Sequence, residues 1–414
     1  MISFEKFELD NGLRFIIHQD NSSPMLAFNV LYDVGAKDEQ PDKTGFAHLF
    51  EHLMFGGSKN IPDYDIPLET AGGENNAFTN NDITNYYLTL PKQNMETAFW
   101  LESDRMLNLA FSKKSLEVQR GVVIEEFKQS YLNQPYGDVW LLLRPLIYKS
   151  HPYQWPTIGK EISHIENATM QDVKAFYAKF YNPNNAIISI AGNITKEEIF
   201  PLAKKWFGDI VNAGSYKRSI PPEHPQNEFR TLTVHRDVPQ DVIYMAFRMC
   251  RKGDPEYFPT DLISDILSNG DSSRFAQNLV KDKKLFSSIE AFVSGDLEEG
   301  LFIIIGKLQS DVTMTTAEEA IWIELRAIRD GDFDEDELEK VKNKVEANLI
   351  FSEVDILNKA MNLAFYELMG DVHLINKEVE LYRNVRREGI VRLAQQIFRK
   401  ENTSILYYHG RNTK

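Results

Sequence analysis

His48 and His52 stand four residues apart, with Glu51 directly before the second imidazole, in the stretch FAHLFEHL of residues 46–53. On an α-helix, residues i and i+4 lie one turn apart on the same face, so both rings can offer a nitrogen to one ion. Neutral imidazole suits zinc at about 2.0–2.1 Å. Glu51 sits beside that pair, placed to hold and deprotonate a metal-bound water whose pKa zinc lowers to about 7. The plain alternative is a pair of ordinary helix histidines near a surface. The adjacent acid, in the order H-x-x-E-H, argues for metal. A catalytic zinc also needs a third protein ligand and an open position. The run QRGVVIEEF, residues 119–127, offers Glu125 and Glu126. They point about 100° apart on a helix, so one of them faces a metal, and the residue pattern alone does not choose between them.

These side chains need elements to carry them. Residues 44–55 have helical spacing, with Phe46, Leu49 and Leu53 apolar and Gly56 and Gly57 as a stop. The segment FEKFELDNGLRFIIHQD predicts two strands around an Asn11-Gly12 turn, and MLAFNVLYDVGA a third. NNAFTNNDITNYYLTLP predicts a strand pair in which Tyr86 and Tyr87 face opposite ways. METAFWLESDRMLN, SLEVQRGVVIEEFKQSYLN and TKEEIFPLAKKWFGDI read as helices, and AIISIAGN as a strand. Residues 216–228, YKRSIPPEHPQNE, are proline-rich and polar and read as a linker. Beyond them a comparable order restarts: strands near 229–248, a helix near 254–269, strands near 286–306, then long helices. FYNPNNAIISIAGN at 180–193 is echoed by FRKENTSILYYHGR at 398–411. The expectation is a duplicated α+β unit: a domain over 1–215, a linker over 216–228 and a domain of similar fold over 229–414.

Composition narrows the function classes. Lys plus Arg is 46 against 61 for Asp plus Glu, a net charge of −15, which argues against nucleic-acid binding. The single cysteine, Cys250, rules out an intrachain disulfide. The start MISFEKFELD has no signal-peptide pattern, and no run of apolar residues is long enough to span a bilayer. A soluble, cytoplasmic protein is expected.

H-x-x-E-H inverts the H-E-x-x-H order of zinc peptidases. The chain resembles the inverted zincins of the pitrilysin, insulin-degrading enzyme and mitochondrial processing peptidase type, and among them the short two-domain members. GFAHLFEHLMFGGS, AGGENNAFTNNDITNYY, LESDRM and QRGVVIEEF carry the likeness through the first half; LSNGDSSRFAQNL at 267–279 carries it thinly in the second. The resemblance implies a zinc metallopeptidase with one zinc per chain and two homologous domains, each a largely antiparallel sheet packed with helices, forming half of a clamshell. It implies His48, His52 and Glu126 as ligands, Glu51 as general base and Glu125 as a bystander. Gln119 falls where the family carries a supporting acid. Asn76 and Ala77 match substrate-contacting positions on an exposed edge strand that receives the peptide backbone. Phe78, a lone aromatic, reads as core.

Complete family members carry an arginine and a tyrosine seven residues apart in the second half. Val280 and Ser287 fall at those positions, and neither can donate as required. The resemblance therefore implies a heterodimer, with a homologous partner subunit supplying the Arg/Tyr pair, or a homodimer if other donors substitute. Arg274 reads as a structural arginine at a helix start. A second class of function, a non-catalytic scaffold subunit like relatives in respiratory complexes, is disfavoured because His48, Glu51, His52 and Glu126 are all present.

Overall fold

The computed structural model describes residues 1–214 and 216–410. Ser215, the expected end of the first domain, and residues 411–414, the end of the second, lie outside the described residues, as does the last residue of the 398–411 echo. The chain forms two compact units. Unit 1 comprises residues 1–132, 155–221 and 350–376; unit 2 comprises 133–154, 222–349 and 377–414.

Unit 1 is built on six strands: β1 (Glu5–Glu8), β2 (Arg14–Gln19), β3 (Met25–Tyr32), β4 (Glu74–Thr79), β5 (Thr84–Pro91) and β6 (Ala186–Gly192). Their order is β1-β2-β6-β3-β5-β4. Only the β2–β6 pair is parallel. Every residue of β6 is buried, so the sheet centre is covered on both faces, which explains its largely apolar run with Ser189 as the one polar member. Alternation along the strands sends Phe15 and Phe28 to one face, where they meet Phe207 and Phe99 of flanking helices. Ile16, Ala27, Leu31, Ile187 and Ala191 go to the other, under Ile356, Ala360, Leu363 and Ala364 of the Ile356–Leu368 helix.

Unit 2 repeats the plan. Strands β7 (Arg230–Arg236), β8 (Val242–Arg248), β9 (Phe286–Val293), β10 (Leu301–Leu308) and β11 (Thr403–Gly410) lie in the order β7-β11-β8-β10-β9. In both sheets the last strand of the half is inserted between two strands consecutive in the chain, β6 between β2 and β3 and β11 between β7 and β8, and runs parallel to the earlier of the two. The faint echo between 180–193 and 398–411 marks these two equivalent strands.

The sequence boundaries and the compact units differ in one respect. Val139, Leu143 and Ile147 of the Val139–Ile147 helix bury against Val242, Ala246, Ile303 and Leu406, so this first-half helix belongs to unit 2. The Ile356–Leu368 helix, from the second half, belongs to unit 1. An amphipathic pattern shows that a helix has an apolar face, not which sheet will cover it. A second difference lies at 115–133. The α-helix runs over Lys113–Phe127 and continues as a π-helical turn over Lys128–Leu132. No helix among the described residues is long and apolar enough to cross a membrane.

Candidate metal centre and active site

The Phe46–Leu53 helix carries the two histidines. Phe46, Leu49, Phe50 and Leu53 are buried, and Phe50 stacks on Phe176 and Tyr181, which fixes the helix against unit 1 and turns His48, Glu51 and His52 the other way. Its N-cap is Gly45, at φ 85°, a conformation that favours glycine; a Cβ there would also lie 2.7 Å from the carbonyl oxygen of Ile158. A glycine cap offers no side-chain acceptor. Glu39 supplies one: its Oε2 accepts the Gly45 N–H at 2.9 Å and its Oε1 the Ala47 N–H at 2.8 Å. The two oxygens of a buried carboxyl group thus satisfy two of the orphan donors at the helix start. Burial pushes the Glu39 carboxyl up to about 8, against the pull of those two donors.

The Lys113–Phe127 helix brings Glu126, not Glu125, to the histidines. Glu126 Oε2 lies 3.6 Å from His48 Nε2 and 3.4 Å from His52 Nε2, and the two Nε2 atoms are 3.3 Å apart. Glu125 is exposed and pairs with Lys128 at 2.7 Å. Among the described residues, His48, His52 and Glu126 are the one group of three side chains whose ligand atoms converge in this way.

These distances test whether zinc fits. A tetrahedral ion with bonds of about 2.0–2.1 Å has ligand–ligand edges of about 3.3–3.4 Å. The observed edges of 3.3, 3.4 and 3.6 Å describe a triangle whose corners lie roughly 2.0 Å from a common point, so the three donors are spaced as one zinc ion would need. The electrostatics suit the same task. Burial lowers His48 to about 4, and the hydrogen bond with His52 holds Glu126 below the ordinary carboxylate value. A neutral imidazole and an ionised carboxylate are the forms a metal binds.

Glu51 is half-buried on the same helix. Its Oε2 accepts a hydrogen bond of 2.6 Å from Thr79 Oγ1 at the end of β4. Burial raises its pKa and the Thr79 hydroxyl opposes the rise. β4 is the outer strand of its sheet, hydrogen-bonded only to β5, and alternates exposed and half-buried residues. Asn76 and Ala77 lie on it, and the Ala77 N–H is held by Asn76 Oδ1 at 2.8 Å. Phe78, expected in the core, is exposed, because residue 78 falls on the open face of a strand that no helix covers there. Tyr86 is buried and Tyr87 half-buried. Gln119 is half-buried, two turns before Glu126 on the same helix.

In unit 2, Val280 packs partly buried against the core, and Ser287 is exposed and bonded to Gln240 at 3.3 Å. Arg274 is committed to Glu324 and Glu337, each at 3.2 Å, a structural role. Reading the sequence missed Glu39 and Thr79. Neither lies within a turn of the residue it serves, and neither carries a local pattern that marks it.

Family models match both parts of the chain: the insulinase domain of peptidase family M16 over residues 14–144 and the peptidase M16 inactive domain over 167–345. The chain belongs to peptidase family M16. The first of these segments holds His48, Glu51, His52 and Glu126. Among M16 relatives, the zinc protease PqqE of Helicobacter pylori is 27% identical, over 97% of this chain and 92% of that protein. The crystal structure of a protease from Helicobacter pylori superposes with a TM-score of 0.92 at 26% identity, covering 99% of this chain and 100% of that one. Pitrilysin shares the fold, with a TM-score of 0.78 at 19% identity over 99% of this chain and 45% of pitrilysin.

Proposed function

We propose that this M16 chain is a zinc metalloendopeptidase that hydrolyses oligopeptides or unfolded segments. The observation that carries the reading is the triangle of His48, His52 and Glu126 donors at tetrahedral edge lengths, with Glu51 on the same helix. Zinc, when bound, supplies a Lewis acid that polarises the scissile carbonyl and lowers the pKa of water. Glu51 takes the proton from the attacking water and delivers it to the leaving amine. Thr79 holds one Glu51 oxygen and leaves the other to exchange protons. The outer edge of β4 takes the substrate as an added strand, with Asn76 and Ala77 against its backbone and Asn76 releasing the Ala77 N–H as the peptide arrives. Gln119, two turns before Glu126 on the same helix, stands where the family carries an acid that supports the site.

Val280 carries no side-chain donor, the Ser287 hydroxyl faces Gln240 Oε1 and the Lys307 carbonyl, and Arg274 is already paired. This supports a two-subunit assembly, in which a homologous partner brings an arginine and a tyrosine. The retention of all four metal-site residues weighs against a purely structural subunit.

The test is cleavage of an internally quenched peptide by the purified chain, before and after chelation and with zinc restored. Chelation should abolish cleavage and zinc should restore it. Full activity by the chain alone would refute the partner requirement. No cleavage with or without a homologous partner, despite bound zinc, would refute the peptidase.

A further inference from the structure

The parallel pair β7–β11 places His235 directly across from His409. Paired residues on neighbouring strands project from the same face, and the imidazole centroids are 5.0 Å apart with ring planes only 17° from parallel. His409 is further organised. Its Nδ1 lies 2.9 Å from Asp241 Oδ2, and the other carboxylate oxygen, Oδ1, accepts the Gly410 N–H at 2.8 Å. An ionised carboxylate only accepts, so Nδ1 carries the proton and Nε2 is left with its lone pair. A carboxylate that fixes the tautomer and orientation of an imidazole through its second nitrogen is the support that metal-ligating histidines generally have. His409 and Asp241 also line a cavity of about 430 Å³ with Asp311 and Thr313, which gives waters access to the His409 side of the pair; His235 lies outside its lining.

We propose that His235 and His409 form a second metal site in this chain, oriented by Asp241 and suited to a borderline divalent ion such as Zn2+ or Cu2+. Two imidazoles are the donors that such ions select over the oxygen ligands preferred by Mg2+ or Ca2+. His235 is exposed, and a turn of its ring out of the stack with His409 would bring the two nitrogens onto one ion, with water completing the coordination. The net charge of −15 favours uptake of a cation. The site does not depend on the peptidase reading and shares no residue with it.

The experiment is equilibrium dialysis of the full chain against Zn2+, and separately Cu2+, with the bound metal counted per chain. The intact chain should hold two equivalents, and His235→Ala and His409→Ala one each. Asp241→Asn should keep the second equivalent but bind it roughly 10–100-fold more weakly. His48→Ala should lose the other equivalent and leave the one that His409→Ala removes. His235→Ala alters an exposed side chain, so its loss of metal cannot be blamed on misfolding; circular dichroism of each variant checks this. A count of one in the intact chain, unchanged by His235→Ala and His409→Ala, overturns the proposal. A count that falls in those variants but not in His48→Ala sustains it and removes the metal from the proposed active site instead.

Discussion

Glu39→Ala should loosen the histidine helix at its first turn. The Gly45 and Ala47 N–H groups are buried, and each loses its acceptor. An orphaned buried donor costs about 1–3 kcal/mol, and loss of an ordinary N-cap about 0.5–2 kcal/mol. Allowing for some relaxation, the two together come to about 3 kcal/mol, which for a unit of this size lowers Tm by roughly 6–12 °C. The first turn positions His48, so zinc affinity should fall at least about tenfold, the effect typical of residues that support a ligand. Calorimetry with and without zinc measures both. Glu39→Gln should fall between, because its amide oxygen accepts one N–H while its nitrogen accepts none. The pH dependence has a definite sign. The folded pKa is raised from 4.5 to about 8, so the native chain keeps a proton that the unfolded chain has released. The stability this contributes is complete below the unfolded value and is lost as pH rises through the window from 4.5 to about 8. Glu39→Gln should flatten that slope. A Glu39→Ala protein that melts within about 2 °C of the parent and binds zinc equally well would refute the capping argument.

Glu51→Gln should retain its zinc, read by metal analysis, and lose about 10²–10⁴-fold in peptide cleavage, the usual scale for a general base. Glu126→Ala should lose the metal that Glu125→Ala keeps; Glu125 makes only a surface pair with Lys128, worth about 0–1 kcal/mol. Asp172 is held down to about 2 by Lys43 and Thr169, so the stability from this pair is present above 3.8 and fades as pH falls toward about 2. Lys43→Ala should reduce that acid-side loss in melts taken across the window. Gly57→Ala should destabilise strongly, since residue 57 has φ 88° and a Cβ would lie 2.4 Å from the Pro62 carbonyl oxygen; a melt unchanged from the parent would contradict it.

The histidine helix was legible because its information is local: spacing of four, an acid between, apolar residues on the opposite face and a glycine pair as the stop; its glycine N-cap, Gly45, was not read. The hairpins at Asn11-Gly12 and 74–91 were legible for the same reason. What sequence left open was set by long-range contact. Glu125 and Glu126 are neighbours of one type that residue spacing cannot separate; the family resemblance pointed to Glu126, and the packing of the Lys113–Phe127 helix against the histidine helix is what places it there. Thr79 reaches Glu51 across 28 residues of chain. Glu39 caps a helix from six residues before its glycine N-cap, outside the usual capping spacing. The helices Val139–Ile147 and Met170–Phe180 went unread, and the destination of the first, like that of Ile356–Leu368, was hidden because any sheet with an apolar face would have served.

The two transplanted helices change what it means to cut this polypeptide. Scission within 216–228 would yield fragments that each still hold a piece the other's sheet needs. Made alone, either fragment would leave a strand layer bare and prone to aggregation. Made together, they should reassemble, so a nick in that stretch would go unnoticed until denaturant pulled the fragments apart.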